Sequence, residues 1–252
     1  MGRIFLSMKL YWTRTLGSLG TLLVLGSGLC AQQTCRGEIK FLLSPPAIQT
    51  VIMSLGFEHK AAGQVYLFDT DPLDLMKQGL IVRVRQGQNN DLTVKIRWPA
   101  GDEQVDTSKL RQHFPCEMDR TGAEEDISYS VARKYKPRRV PETGEEIRSI
   151  LSAQQETLLQ EAGVRIDWSR VKELAHIKLT KWESKTESSF GRLTLELWES
   201  PGGNILELSA KVAPGAGPSK YTELRRLLDQ KGLPLSASQG TKTSMVLESL
   251  AK

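Results

Sequence analysis

The sequence has few of the residues from which many enzymes build a reactive centre. Only three cysteines and three histidines occur among 252 residues, and the histidines show no ligand spacing such as two histidines four positions apart on one helix. Neither a glycine-x-serine-x-glycine segment nor a Rossmann or Walker glycine pattern is present. These absences argue against a cysteine- or histidine-built metal centre, a serine nucleophile elbow and the common nucleotide-binding loops.

Long apolar runs are missing after the first 31 residues. Within those 31 residues, three basic residues and no acidic ones accompany an apolar run from Leu16 to Leu29, and Leu29-Cys30-Ala31 offers a cleavage point. The run is shorter than the roughly 20 apolar residues that a membrane helix needs. We predict that residues 1–31 are a signal peptide and that the chain is exported, to the periplasm or as a secreted protein. An uncleaved membrane anchor is the alternative.

An excess of one charge is also missing from the rest of the chain. When the three basic residues of the leader are subtracted from 34, 31 basic residues remain against 29 acidic ones, a net charge of about +2. This balance gives little reason to expect a nucleic-acid partner, and no further membrane segment is expected. The remaining 220 or so residues, 32–252, are long enough for a single domain with a substantial core, whose oligomeric state the sequence leaves open.

Two cysteines remain after the leader. Cys35 and Cys116 each lie just before a charged strand pattern. Outside the cytoplasm, cysteines tend to form disulfides, so we predict a bond between them that joins two strand starts. Two free, half-buried thiols are the alternative.

Charged residues alternate with apolar ones along the predicted strands. Because successive strand side chains point to opposite faces, charges two or four positions apart share a face. On an open sheet that face would be solvated, whereas a closed sheet would collect the charges in a polar interior suited to a polyanion and its metal. The pairs concerned are Glu38 with Lys40, Arg83 with Arg85, Lys95 with Arg97, Glu117 with Asp119, and Glu207 with Lys211.

The local patterns predict an α+β chain. The predicted strands are Glu38–Leu43, Gln64–Asp69, Leu80–Gln86, Leu92–Trp98, Gln112–Asp119, Leu174–Trp182, Arg192–Glu199 and Ile205–Val212. The predicted helices are Ala47–Leu55, a short turn at Leu73–Gln78, Glu145–Ala162, Ser219–Gln230 and a last segment after Pro234.

Three stretches resemble the CYTH superfamily, also called triphosphate tunnel metalloenzymes. The first runs from Tyr66 through Asp69-Thr70 and Gly79 to Arg83-Val84-Arg85, and resembles the family's tyrosine, aspartate-threonine, leucine, glycine and arginine-x-arginine segment. The stretch 92–97 resembles its following lysine strand, and the hairpin 193–211 resembles its late acidic strands. The family includes inorganic and thiamine triphosphatases and a class of adenylate cyclase.

The resemblance implies an antiparallel barrel of about eight strands around a tunnel, with flanking helices. Basic residues would hold a triphosphate or polyphosphate, glutamates would hold Mg²⁺ or Mn²⁺, and water would attack the terminal phosphorus. The implied phosphate-binding residues are Lys40, Arg83, Arg85, Lys95, Arg97, Lys181 and Lys211. The implied metal-side carboxylates are Glu38, Glu117, Asp119, Glu196 and Glu207, of which Glu117 and Glu207 are the candidates for catalysis.

One position departs from the resemblance. The family's opening motif has glutamate, glutamate and lysine at alternate positions, which here are Arg36, Glu38 and Lys40, so that a base replaces the first acid. A register shifted by one residue would turn the charges to the wrong face. A noncatalytic binding protein for polyphosphate or a nucleotide, or an envelope interaction protein, is therefore the alternative to a phosphohydrolase. Glu196 and Glu207 have the further alternative of pairing with lysines across a hairpin.

Overall fold

Nine strands form the centre of the protein in the computed structural model, which describes residues 34–87, 89–102, 107–136, 138–185 and 187–250. The predicted signal peptide lies outside these residues. The strands are β1 Arg36–Leu43, β2 Phe57–Asp69, β3 Leu80–Gly87, β4 Asp91–Pro99, β5 Cys116–Thr121, β6 Glu124–Lys134, β7 Lys172–Ser184, β8 Leu193–Ser200 and β9 Gly203–Val212.

The strands close into a barrel in the order β1-β5-β6-β4-β3-β2-β7-β8-β9, with β9 pairing back onto β1. Neighbours run antiparallel except for β1 and β5, which are parallel. The predicted all-antiparallel barrel is therefore wrong at this one pair. The chain passes through β2, β3 and β4 before β5 lies beside β1 in the same direction, and a parallel pair needs such a long connection. A disulfide between Cys35 and Cys116 joins the starts of the two strands.

Seven α-helices flank the barrel in the described part of the chain. They are α1 Ile48–Leu55, α2 Asp74–Lys77, α3 Ser108–His113, α4 Gly144–Ser149, α5 Ala153–Glu161, α6 Gly217–Gln230 and α7 Lys242–Leu250. Among the described residues, none of these helices has the length and apolar character that a membrane crossing requires.

Several element bounds differ from the sequence prediction, among them the start of β2 at Phe57 rather than Gln64, and one strand was missed. The strand predicted over Gln112–Asp119 begins only at Cys116, because Gln112 belongs to α3. The helix predicted over Glu145–Ala162 is two helices, since Ser152 caps α5 in a capping box with Gln155 and so starts a new helix. Strand β6 was not predicted at all.

The apolar core lies mostly outside the barrel rather than within it. Outward residues of β3 and β4, such as Val84 and Val94, pack with α3, α4 and α5, while outward residues of β1, β8 and β9, such as Phe41, pack with α1 and α6. Helix α7 places Val246 and Leu247 in a third cluster of inward-facing apolar residues. The barrel interior beyond this cluster is thereby left for polar side chains.

Candidate functional site: a charged tunnel

A cavity of about 280 Å³ runs inside the barrel, between the apolar layer at α7 and the opposite mouth. This volume is just below the usual ~300–1,000 Å³ range for small-molecule sites, so a compact ligand fits better than a large one. Eight basic side chains and five carboxylates line it: Lys40, Arg83, Arg85, Lys95, Arg97, Lys181, Lys211 and Lys242, with Glu38, Glu117, Asp119, Glu196 and Glu207. All twelve residues singled out in the sequence for phosphate or metal are brought together here.

Strand alternation explains why these groups face inward. On β3, Arg83 points into the cavity while Val82 and Val84 are buried outside it, and on β4 Lys95 lies between the outward residues Val94 and Ile96. The outward apolar residues are held by the helices, so the alternation commits the charged positions to the interior. The closed barrel therefore realises the second of the two arrangements that the sequence allowed.

The turn between β2 and β3 fixes two walls of the tunnel relative to one another. The Asp69 carboxylate accepts hydrogen bonds from the backbone N–H groups of Thr70, Leu75 and Met76 at 2.7, 2.8 and 2.9 Å. At Gly79, φ is +73° and a Cβ would lie 2.3 Å from the carbonyl oxygen of Arg97, so only glycine fits. The aspartate and glycine of this segment are thus structural, and they set β3 beside β4.

Asp119 is the centre of one charge cluster. Its Oδ2 lies 2.9 Å from Lys40 Nζ, 3.4 Å from Lys95 Nζ and 3.2 Å from Arg97 Nη2, and the residue is only 2% exposed. Burial alone would raise the pKa of Asp119, but the three cations lower it well below its usual range. Glu38 Oε2 also contacts Lys40 Nζ at 3.1 Å. Asp119 is therefore the shared counter-ion of three cations, two of which have a further glutamate partner in Glu38 or Glu117.

Arg83 combines two features: it has no ion pair among the described residues, and its Nε is buried without a hydrogen-bond partner. Arg85, two positions away, does have one: its Nη2 lies 2.7 Å from Asp91 Oδ2. Burial, with the adjacent Arg85, lowers the pKa of Arg83 to about 10. A buried guanidinium that is left unpaired is costly, and an anion entering the tunnel would remove that cost.

Lys242 is the centre of the other cluster. Its ammonium contacts Glu196 Oε2 and lies 2.8 Å from Glu207 Oε1, and it is 4.8 Å from the ring centroid of Trp198. Burial alone would raise the pKa of Glu196, but Lys242 holds it at about 2; the two glutamates in turn raise the pKa of Lys242 despite its burial. Glu196 and Glu207 are direct neighbours across β8 and β9.

The carboxylates do not fit a divalent metal in this arrangement. Such an ion needs several oxygen ligands converging on one point, but within the described ranges no three Asp, Glu, His or Cys side chains form a group that could hold one. Glu38 and Asp119 are engaged by Lys40, Glu117 by Lys95 at 3.3 Å, and Glu196 and Glu207 by Lys242. The predicted metal-side residues are present, but each is paired with a basic side chain.

Sequence reasoning did not single out Thr93 and Lys242 of the tunnel lining, or Asp91, which pairs with a tunnel arginine. Counting back from Lys95 by twos along β4 reaches Thr93 and Asp91, so the alternation contained a signal for them, although 88–91 reads as a turn. Thr93 Oγ1 donates to Asp91 Oδ1 at 2.9 Å, and Asp91 holds Arg85. Lys242 carried no such signal, because it starts a helix far from the strands whose carboxylates it meets.

Comparisons with known proteins agree with the barrel fold. The family model described as the CYTH domain matches residues 37–238. Among solved structures, the candidate adenylyl cyclase HpAC1 from Hippeastrum, reported to have a dominant triphosphatase activity, is 20% identical with a TM-score of 0.58, over 84% of this chain and 94% of that one. A candidate adenylate cyclase from Bacillus halodurans is 16% identical with a TM-score of 0.55, over 84% and 96% of the two chains. A search of the curated proteins finds no match.

Proposed function

Because the chain belongs to the CYTH domain family, we propose that its tunnel binds a triphosphate or a short polyphosphate chain and hydrolyses its terminal phosphoanhydride bond. The observation that carries the proposal is Arg83, a half-buried residue whose Nε is buried without a hydrogen-bond partner and which faces one small cavity together with seven other cations. The lining holds eight basic groups against five carboxylates, so the tunnel attracts anions. Phosphate oxygens suit guanidinium and ammonium donors.

The proposed reaction assigns separate tasks to the two kinds of side chain. Arg83, Arg85 and Lys181 orient the phosphate chain and offset the negative charge that develops on the leaving diphosphate. Glu117 is the candidate general base, because its side chain is 42% exposed and so has oxygen lone pairs open to water. The water oxygen bonds to the terminal phosphorus, the bridging P–O bond breaks, and Glu117 takes the proton. If a divalent metal enters the tunnel, it would supply further charge stabilisation.

The test is phosphate release from tripolyphosphate by the purified protein lacking residues 1–31, with Mg²⁺, with Mn²⁺ and with a chelator. We expect release by the parent, loss of turnover with retained binding in Glu117→Gln, and parental turnover in Glu125→Gln. Glu125 is a matched control, because its carboxylate pairs with Arg120 and is absent from the tunnel lining. Turnover in Glu117→Gln equal to that of the parent would contradict the role of Glu117.

A second candidate is a noncatalytic phosphate-chain binding protein. The pairing of every predicted metal-side carboxylate with a lysine or arginine favours it, since family hydrolysis is expected to use a divalent metal. Binding of tripolyphosphate without phosphate release under any of the three conditions would establish this second function. Absence of binding would remove both and leave a structural role.

We also propose that the protein acts after export. The proposal rests on the basic and apolar leader of residues 1–31, and the bond between Cys35 and Cys116 is consistent with an oxidising compartment. Expression of the full chain, followed by fractionation and N-terminal sequencing, tests it. A mature protein that starts near residue 32 outside the cytoplasm is expected, and an intact leader on a cytoplasmic protein would overturn it.

A further inference from the structure

Helix α7 brings its first side chain, Lys242, into the tunnel from a firmly held position. Three residues earlier, Gln239 exchanges two hydrogen bonds with the backbone of Leu42: its Nε2 donates to the Leu42 oxygen at 2.8 Å, and its Oε1 accepts from the Leu42 N–H at 3.0 Å. After Lys242, the side chains of Val246 and Leu247 are buried in the apolar layer at that end of the barrel. The ammonium is therefore placed by contacts on both sides of it along the chain.

The place that Lys242 occupies is the one where the sequence led us to expect a divalent cation. Glu196 and Glu207 face each other across β8 and β9, and two adjacent buried carboxylates repel unless a positive charge lies between them. The Lys242 side chain is only 11% exposed and contacts both. It lies four residues beyond the matched family range of 37–238.

The start of β1 also departs from the metal-binding pattern that the resemblance implies. Arg36 stands where the resemblance expects the first metal-side glutamate, and it is exposed and absent from the tunnel lining, so the tunnel has one acid fewer at that strand. Glu38, the next acid on the same strand, already has Lys40 at 3.1 Å. At one end of the described chain a metal-side acid is absent, and at the other end a lysine pairs with two of the metal-side acids.

We propose that the Lys242 ammonium takes the place of a divalent cation beside Glu196 and Glu207, so that the tunnel binds a triphosphate or polyphosphate anion without metal. The inference rests on the proposed function, of which it specifies the counter-charge. A metal ion at these glutamates would first have to displace a buried ammonium and its two ion pairs, whereas the phosphate chain meets a cation that is already in position.

Calorimetric titration of tripolyphosphate into the parent protein tests the inference, once in a chelator and once in Mg²⁺, with the free ligand corrected for its magnesium complex. We expect dissociation constants that agree within about threefold. Binding that appears only with Mg²⁺ would overturn the role of Lys242 and leave the proposed function standing. Absence of binding in both conditions would overturn the two together.

Lys242→Met gives the second arm of the test. Without the ammonium, two uncompensated carboxylates face the ligand, so metal-free affinity should fall at least about tenfold, and Mg²⁺ should restore most of it. Lys220→Met is the matched control, because Lys220 Nζ lies 2.7 Å from Glu223 and 5.3 Å from the ring centroid of Phe190, similar partners outside the tunnel. This control should bind as the parent does.

A triple variant keeps the test decisive if Lys242→Met fails to fold. Lys242→Met with Glu196→Gln and Glu207→Gln removes the ammonium together with both carboxylates, so no buried charge is left unpaired. We expect weaker metal-free binding than in the parent, because the ammonium is gone, and no response to Mg²⁺, because both carboxylates are gone. Parental metal-free affinity in a folded Lys242→Met, or metal-dependent binding in the triple variant, would overturn the proposal.

Discussion

Arg83→Met should make the ligand-free protein more stable while it weakens phosphate binding. At neutral pH the guanidinium is charged in both the folded and the unfolded chain, but its folded pKa is lowered from 12.5 to about 10. A lowered pKa on a base means that the folded state disfavours the charged form, and a shift of this size corresponds to roughly 3 kcal/mol. The penalty is fully present below about pH 10. Methionine keeps most of the aliphatic stem and removes the charge.

The expected gain in the free energy of unfolding is about 1–3 kcal/mol, because part of the penalty is relieved by water at the tunnel. The expected loss in tripolyphosphate affinity is about 10- to 150-fold, from one charge-assisted hydrogen-bonding group worth ~1.5–3 kcal/mol. Urea titration measures the first quantity and calorimetric titration the second, both in the same buffer.

Arg225→Met is the control for both measurements. Arg225 pairs with Asp229 at 3.0 Å on an exposed face of α6, so its loss should change stability by no more than ~0.5 kcal/mol and leave affinity unchanged. If Arg83→Met bound tripolyphosphate as tightly as the parent, the tunnel would not be the anion site. If the variant were less stable than the parent, Arg83 would not be an uncompensated charge.

Three further perturbations address other parts of the tunnel. Asp119→Asn removes the shared counter-ion of three cations, so the free energy of unfolding should fall by ~3–5 kcal/mol. Tripolyphosphate should then raise the melting temperature of the variant by more than it raises that of the parent. An unchanged urea midpoint would contradict the charge cluster. The pKa of Glu196 is about 2 in the folded protein against an ordinary 4.5, so it stabilises the fold above about pH 4.5 and that stability is lost as pH falls through about 2. When the unfolding midpoint is measured against pH, Glu196→Gln should lose less stability at acid pH than the parent does. An equal loss in the two proteins would refute the ion pair. Gly79→Ala would place a Cβ 2.3 Å from the Arg97 carbonyl oxygen, whereas at Gly232, where φ is +62°, no atom lies within 4 Å of the added Cβ. Gly79→Ala should therefore lower stability more than Gly232→Ala does, and only Gly79→Ala should weaken tripolyphosphate binding. Equal losses of stability in the two variants would refute the close approach.

The sequence indicated which face of each strand carries charge, since that depends only on the period-two pattern. Lys95 and Arg97 lie two positions apart, so they share a face in any strand that contains both, and the apolar residues between them commit that face to the interior. The identity of the partners was out of reach. Asp119 meets Lys40 through the parallel β1–β5 pair, which depends on a chain path that no local pattern encodes.

Two other features of the structure were not predicted from the sequence, because they depend on side-chain capping or on contacts between distant segments. The continuous helix predicted through Ser152 is interrupted because the Ser152 and Gln155 side chains cap a new start, which outweighs helical propensity. The placement of Lys242 depends on the anchoring of Gln239 to Leu42, 197 residues away in the sequence. A sequence pattern read one segment at a time contains neither contact.

The closure of the barrel between its first and last strands has a consequence for how the protein is made. Pairing of β1 with β9 joins residues near 40 to residues near 208, so a growing chain holds eight strands with two open edges until β9 has left the ribosome. Long-range pairing of this kind is slow, and unpaired edges invite association between chains. The charged inner face then acts as a safeguard during synthesis, since an open sheet that exposes lysines, arginines and glutamates stacks poorly on another copy of itself.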